Sequence, residues 1–145
     1  MTFIPTKLQS ELLHEYNALT DVEQRLTWLL ERNPLHQPIP DSEATADRRV
    51  PGCPSGLWLT ASGTGLTCNF QARSDSAVVA GIASFICDLH SQIDCGALIE
   101  VGDELISSLS LDRLLSPTRR RAIAVLSQFI QQTATKRLAD QNHVT

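Results

Sequence analysis

The sequence predicts an α+β domain, with a small antiparallel sheet of about three strands and helices packed on one side of it. Three observations carry this prediction. Two helical patterns open the chain, two short apolar runs around a glycine-containing turn form a hairpin, and further helical patterns fill the second half. Because an isolated hairpin is only marginally stable, we expect a third strand, from residues 48–51 or from a segment that the pattern does not reveal.

The two opening helices are predicted over about residues 6–19 and about 21–33. Thr20 and Glu23 form a capping-box pattern at the start of the second one. Residues 34–52 then form a proline-containing loop, and a loop of this length inside a domain is often functional. Apolar residues at helical spacing predict the buried faces: Leu8, Leu12, Tyr16 and Leu19 in the first helix, and Val22, Leu26, Leu29 and Leu30 in the second.

The hairpin comprises an apolar run over residues 57–61 and an alternating run over 66–71, joined by a turn at 62–65. Leu66, Cys68 and Phe70 alternate with polar residues, which is typical of a half-buried strand. The alternation puts Cys68 on the apolar face. We therefore interpret this thiol as part of the core.

Helix-start signals organise the next part of the chain. The triplet 74–76, Ser-Asp-Ser, predicts a helix that runs to about residue 91. Asp94 is predicted to cap another helix with Cys95 in its first turn. A helix N-terminus can favour ionisation of a thiol, but packing inside the fold is the preferred interpretation of Cys95, as it is of Cys87. Short helical pieces are predicted over about 96–101 and 103–109.

The whole chain, residues 1–145, has a length that fits one domain. Ser116 and Pro117 open a long last helix, since proline is favoured at the first helical position. Residues 138–145 are expected to form a frayed tail.

The composition excludes several classes of protein. The net charge of −4 gives no reason to expect binding to nucleic acid or to an anionic membrane. The N-terminus lacks the apolar core of a signal peptide, and no apolar stretch is long enough to span a membrane. We therefore expect a protein of the reducing cytoplasm.

The four cysteines stand at positions 53, 68, 87 and 95, and no two of them form a C-x-x-C pair. Zinc-ribbon, thioredoxin-like and c-haem interpretations are therefore unsupported. Without any sign of secretion, four free thiols are expected. The four histidines show no metal-ligand spacing, and no Ser-His-Asp grouping or glycine-rich phosphate loop is present. No metal site is predicted.

Cys53 differs from the other cysteines in its neighbours, Pro51-Gly52 before it and Pro54 after it. Both prolines disfavour helical geometry in the residues that precede them, so Cys53 is predicted to lie in a turn. A helix dipole is then not available to activate the thiol. Arg48 and Arg49 are the nearest cations that favour the reactive thiolate.

Three motifs in this order resemble the SufE family of sulfur-acceptor proteins, which includes the CsdE branch. The first is the Gly-Cys motif over residues 52–58, which ends in Leu-Trp, and the second is Ser-Asp ahead of an apolar helix containing glycine, over 74–81. The third is the Leu-Ser-x-Thr-Arg run over 115–119. The resemblance extends over about residues 12–136, and it implies a fold like that of SufE and of the related IscU-type cluster scaffold.

The resemblance also implies a function. SufE-like proteins take sulfur from the persulfide of a PLP-dependent cysteine desulfurase of the SufS or CsdA type, stimulate it, and pass the sulfur to an iron–sulfur assembly scaffold. Such a protein is not expected to act as a stand-alone enzyme or to hold a cofactor, since the PLP belongs to the partner. Cys53 would carry the transient persulfide.

Other positions of the motifs acquire roles by the same resemblance. Gly52 would let the loop turn, Ser55 and Trp58 would anchor the exit of the loop, and Asp75 would cap its helix and pair with Arg119.

The chain also departs from the family pattern. Arg73 stands where an acidic residue is usual, and Arg121 and Ala122 replace a polar residue and glycine. With Arg48 and Arg49, Arg73 is therefore a candidate for the surface that meets the partner.

Two alternatives remain open at this point. An iron–sulfur cluster scaffold would need about three convergent thiolates. A thiol redox sensor would pair Cys53 with a resolving cysteine.

Overall fold

The computed structural model describes residues 5–32, 39–53 and 55–143. The described ranges leave out residues 33–38 of the predicted loop, Pro54, and the last two residues of the predicted tail. The helices are α1 (Lys7–Ala18), α2 (Val22–Arg32), α3 (Ala77–His90), α4 (Cys95–Val101), α5 (Glu104–Ser108) and α6 (Pro117–His143). The strands are β1 (Leu57–Ser62), β2 (Thr67–Ser74) and β3 (Ile93–Asp94).

The sheet is antiparallel, with the strand order β1-β2-β3. In the hairpin, Trp58 lies opposite Arg73 and Ala61 opposite Phe70. The third strand is β3, which pairs with the start of β2 and is too short to show a sequence pattern. Residues 48–51 contribute a single bridge between Arg49 and Trp58, at the other edge of the sheet.

One face of the sheet is buried, which confirms the predicted α+β architecture. Every second side chain of the hairpin belongs to this face, and α3 packs across β2 while α6 reaches β1. The rings of Phe70 and Phe129 meet edge to face, with centroids 6.3 Å apart. Cys68 is 1% exposed, so its predicted place in the core is confirmed. The buried residues of the hairpin are Leu57, Leu59, Cys68, Phe70 and Ala72.

Helices α1 and α2 form a second layer that packs against α3. The packing of α2 against α3 is close at Gly81, where an added Cβ would lie 2.7 Å from the Leu29 carbonyl oxygen. Any side chain at residue 81 would force the two helices apart. Tyr16 of α1, Trp28 of α2 and Phe85 of α3 form an aromatic cluster with ring centroids 5.1–5.9 Å apart. This packing holds the helices on the face opposite the exposed side of the sheet.

Two details at the predicted helix ends differ from the structure, the cap of α2 and the tail after α6. In α2, Asp21 rather than Thr20 precedes the helix, and its Oδ1 accepts a hydrogen bond of 3.3 Å from the Glu23 amide. In α6, the helix continues to His143 instead of fraying from Leu138. Leu138 packs against the core, and Arg137 donates a 2.7 Å hydrogen bond to the Thr67 carbonyl.

No helix within the described ranges combines the length and the apolar character that crossing a membrane requires.

Candidate functional site

Cys53 lies in a tight turn that leads directly into β1. The Gly56 amide donates a 3.1 Å hydrogen bond to the Cys53 carbonyl and closes the turn. On the other side, the Val50 amide donates a 2.7 Å bond to the Leu57 carbonyl. Cys53 is half-buried, with its side chain against the edge of the core. The sheet edge therefore fixes both ends of the segment that carries the thiol.

A surface pocket of about 500 Å³ opens at this thiol. Arg49 is the cation that lines it. The lining residues are Ala46, Arg49, Val50, Pro51, Gly52 and Cys53. Gly52 has φ +79°, a conformation that glycine adopts without strain, and an added Cβ would meet nothing within 4 Å.

The loop before Cys53 folds back onto the sheet. Two 3₁₀ turns, Asp41–Glu43 and Ala46–Arg48, replace the irregular loop that the sequence indicates for this part. Arg73 of β2 anchors the loop, because its Nη1 lies 2.5 Å from the Asp41 carboxylate and donates a 3.0 Å bond to the Ile39 carbonyl. Ile39 is 1% exposed, so this anchor coincides with a buried apolar contact.

The three arginines predicted to meet a partner have different surroundings. Arg73 contacts the loop described above. Arg48 also contacts its own loop, where its Nη1 lies 3.9 Å from the Glu43 carboxylate and 3.1 Å from the Glu43 carbonyl oxygen. Arg49 places its guanidinium 5.6 Å from the centre of the Trp58 ring, and no carboxylate pairs with it in the described ranges. Arg49 is thus the arginine best placed to meet an anionic group.

Support for the exit of the turn comes from Gly56, Trp58 and Ser74. Gly56 has φ +73°, and a Cβ built there would lie 2.9 Å from the Trp58 ring and 3.1 Å from an Asp75 carboxylate oxygen. The Ser74 hydroxyl donates a 2.6 Å hydrogen bond to the Gly56 carbonyl and accepts one from the Ser76 amide. Ser55 is half-buried within the turn.

Asp75 does not cap α3. Ser76 is the capping residue, and its hydroxyl accepts a 3.3 Å hydrogen bond from the Val79 amide. Asp75 is exposed and lies beside Gly56. Within the residues described, no ion pair joins Asp75 to Arg119, whose amide bonds to the Ser116 hydroxyl in the first turn of α6. The predicted capping role was wrong, and the predicted pair is absent from this arrangement.

Ser74 is the site residue that sequence reasoning missed. It was visible only as part of a helix-start signal, whereas its hydroxyl joins the Cys53 turn to the start of α3. A serine one residue before an Asp-Ser cap is an ambiguous signal, because serine and aspartate are both favoured N-caps.

The other three cysteines are in the core. Cys68, Cys87 and Cys95 are at most 1% exposed, and none lines the pocket of Cys53. Cys95 does follow the Asp94 cap as predicted, with the Asp94 carboxylate accepting a 2.8 Å bond from the Gly96 amide. Burial, together with the neighbouring Cys68, raises the pKa of the Cys95 thiol to about 11. The Cys95 thiol is thus a packing residue, and the helix N-terminus does not activate it.

These positions bear on the two alternative functions. Among the described residues, no group of three or more His, Cys, Asp or Glu side chains is placed to hold a metal ion, which does not favour a cluster scaffold. A redox sensor that uses Cys53 needs a second thiol nearby. The two cysteines that do approach each other are Cys68 and Cys95, with Sγ atoms 3.8 Å apart in the core.

Comparison with known proteins gives related results at three levels. The SufE domain, an Fe-S metabolism associated domain, matches residues 10–134. The chain is 31% identical over 137 residues to the chloroplastic quinolinate synthase of Arabidopsis thaliana, a match that covers 93% of this chain and 19% of that protein. It is 21% identical over 124 residues to the cysteine desulfuration protein SufE of Wigglesworthia glossinidia brevipalpis, covering 84% of this chain and 86% of that one.

Among solved structures, the solution structure of a hypothetical protein from Thermus thermophilus shares the fold. The TM-score is 0.72 at 21% identity, covering 94% of this chain and 98% of that one. Since the SufE domain extends over most of the sequence, from residue 10 to 134, the chain belongs to the SufE family, whose role is in sulfur transfer.

Proposed function

We propose that this chain accepts a sulfur atom on Cys53 from a PLP-dependent cysteine desulfurase, which it stimulates, and passes the sulfur to an iron–sulfur assembly scaffold. The observation that carries the proposal is the contrast among the four thiols. Cys53 is half-buried at a surface pocket, and the other three lie in the core. Family membership supports the same role at the level of sulfur transfer.

The transfer step requires two things of this chain: a thiolate, and access of the donor persulfide to it. The Cys53 thiolate attacks the outer sulfur of the donor persulfide, a new S–S bond forms, and the old S–S bond breaks. The electron pair of the broken bond leaves with the donor sulfur, which departs as a thiolate. Cys53 then holds the persulfide. No oxidant or reductant is consumed, because sulfane sulfur is exchanged between two thiols.

The residues around Cys53 fit this step. Arg49 is the cation of the pocket, and a nearby cation favours the thiolate form of a cysteine. Gly52 leaves open space beside the thiol, where an approaching backbone meets no side chain. The contacts of Gly56 with Trp58 and Ser74 hold the exit of the turn, so the thiol keeps its position while a partner binds.

Transfer can be tested by incubating the chain with a cysteine desulfurase and cysteine, followed by intact mass measurement. We expect a gain of about 32 Da, the mass of one sulfur atom, on wild type and no gain on Cys53→Ser. Alkylation before digestion then locates the added sulfur on a peptide. Production of alanine by the desulfurase should rise with wild type and stay at its basal rate with the variant.

The Cys53→Ser variant changes one atom at a half-buried position, so it is expected to keep the fold. Thermal unfolding of both proteins provides that check. An equal gain of sulfur on the variant and on wild type would show that another cysteine is the acceptor.

A further inference from the structure

A groove of about 520 Å³ runs along β1 and continues into the pocket of Cys53. Four residues of α6 line it: Val125, Gln128, Phe129 and Gln132. Three residues line both the groove and the Cys53 pocket: Arg49, Val50 and Pro51. The groove and the Cys53 pocket are therefore adjacent.

Strand β1 also lines the groove, and its edge has unused hydrogen-bonding groups. The Leu57 carbonyl accepts its bond from Val50, so Leu57, Leu59 and Ala61 direct their backbone groups away from β2. Pairing on this edge ends at the Arg49–Trp58 bridge, because the preceding residues 46–48 form a 3₁₀ turn. Beyond that bridge, the amide and carbonyl of Ala61 have no hydrogen-bond partner in the residues that the structure covers.

The chemistry of the groove selects its occupant. An unpaired strand edge is completed by another extended backbone, and the apolar and amide side chains that α6 contributes to the groove suit alternate side chains of such a strand. Glu43, Asp47 and Arg48 also line the groove, and Glu43 pairs with Arg48. Arg49, which lines the Cys53 pocket as well, lacks a carboxylate partner within the described ranges. A peptide that carries an acidic side chain at the end near Cys53 would complement it.

We propose that the groove binds an extended segment of the sulfur-donating protein, which pairs with β1 as an additional strand and places a carboxylate near Arg49. The inference rests on the proposed function and adds the mode of recognition. Strand pairing fixes the direction and register of the segment relative to Cys53. The donor persulfide would thereby be aligned with the thiol before transfer.

Hydrogen exchange gives the most direct test. Exchange of the Ala61 amide is measured in the free chain and in its mixture with the desulfurase that loads Cys53. We expect fast exchange in the free chain, since this amide is unpaired in the described part of the chain, and strong protection in the mixture. The Asn69 amide, on the side of β2 that faces β1, should be protected in both states.

Two substitutions separate the contributions of backbone and charge. Ala61→Pro removes the outward amide at an edge position where proline is tolerated, and we expect about tenfold weaker binding of the desulfurase. The control variant Ala61→Ser keeps the backbone amide and should bind the desulfurase as tightly as wild type does. Arg49→Ala should weaken binding and flatten its salt dependence, whereas Arg113→Ala, at an exposed position outside the groove, should do neither.

A small persulfide such as glutathione persulfide distinguishes docking from chemistry. Ala61→Pro should still accept sulfur from it at the wild-type rate, and thermal unfolding reports whether the variant folds. Sulfur transfer to wild-type Cys53 without protection of the Ala61 amide would contradict binding of the donor in the groove. The proposed sulfur-acceptor function would be unaffected. Failure of the desulfurase to load wild type at all would overturn both. Protection of Ala61 in the chain alone at high concentration would identify a second copy as the occupant and also contradict the proposal.

Discussion

The guanidinium of Arg73 lies 2.5 Å from the carboxylate of Asp41, across the gap between β2 and the loop that leads to Cys53. Arg73 looked like a residue for a partner to meet, because the SufE family usually has an acid there. Its described contacts are internal instead. The basic substitution in β2 thus has a matching acid in the loop, and the pair ties the loop to the sheet.

Asp41 and Arg73 are expected to contribute unequally to the stability of the fold. Asp41 has a side chain that is 91% exposed, so Asp41→Asn should lower the free energy of unfolding by less than about 1 kcal/mol. Arg73→Ala also removes the hydrogen bond to the Ile39 carbonyl, which is then left without a donor. We expect this variant to lower the free energy of unfolding by about 1–2 kcal/mol. Chemical denaturation measures both values, and hydrogen exchange over residues 39–49 should rise more in Arg73→Ala. Equal costs for the two variants would show that the ion pair alone is the anchor.

Gly56 should tolerate substitution far less well than Gly65. Both have positive φ, of +73° and +66°, so alanine is strained at either position by about 1 kcal/mol. At Gly56 the added Cβ also lies 2.9 Å from the Trp58 ring, whereas at Gly65 it meets nothing within 4 Å. We therefore expect Gly56→Ala to lose about 3 kcal/mol of unfolding free energy and Gly65→Ala about 1 kcal/mol.

Fluorescence provides a local readout of the same contact when the other tryptophan, Trp28, is replaced by phenylalanine in the variants and in the reference protein. Gly56→Ala should change the emission of the folded protein, because the Trp58 ring has to move, and Gly65→Ala should leave it as in wild type. Similar stabilities for the two variants would mean that the ring moves aside without cost.

The strongest sequence signals were local ones. Alternation placed Cys68 in the core, Asp94 was recognisable as a cap, and the Pro-Gly-Cys-Pro run placed Cys53 in a turn. Long-range relationships were not visible. Strand β3 has two residues, too few for any periodicity, and it forms because β2 offers a free edge.

The same limit applies to the surroundings of Cys95 and to the end of α6 at Leu138. A cap beside Cys95 is a local pattern, but the burial that raises the pKa of its thiol comes from distant parts of the chain. Leu138 was assigned to a frayed tail because it lies near the chain end, whereas its contact with the core decides the outcome. Sequence position alone does not reveal which ends of a chain are packed.

Alkylation should separate Cys53 from the other three thiols. Cys53 is half-buried at a pocket, whereas Cys87 and Cys95 are fully buried and burial raises the pKa of both thiols. At pH 8 we expect iodoacetamide to modify Cys53 on the order of a hundredfold faster than the rest, because only an accessible thiolate reacts. Mass spectrometry of digested protein follows each site, and all four should react after denaturation. Early modification of Cys68 or Cys95 would contradict their burial.

His90 should make the fold sensitive to acid. It is fully buried, its Nδ1 donates a 2.7 Å bond to the Ile86 carbonyl, and its Nε2 has no partner within the described residues. Burial lowers the pKa of His90, so the folded chain keeps this ring neutral at pH values where the unfolded chain protonates it. Stability from this group is therefore present above the unfolded pKa, near 6.5, and is lost as the pH falls below it.

The measurement is the free energy of unfolding between pH 7.5 and about 5, which spans the unfolded pKa of histidine. Wild type should lose stability toward the acid end, with His90 contributing at most about 1.4 kcal/mol per pH unit. His90→Gln removes the titrating group and should give a flatter curve, whatever its stability at neutral pH. His14→Gln, at an exposed position, should keep the wild-type slope. Parallel curves for wild type and His90→Gln would show that the buried ring does not govern the response to acid.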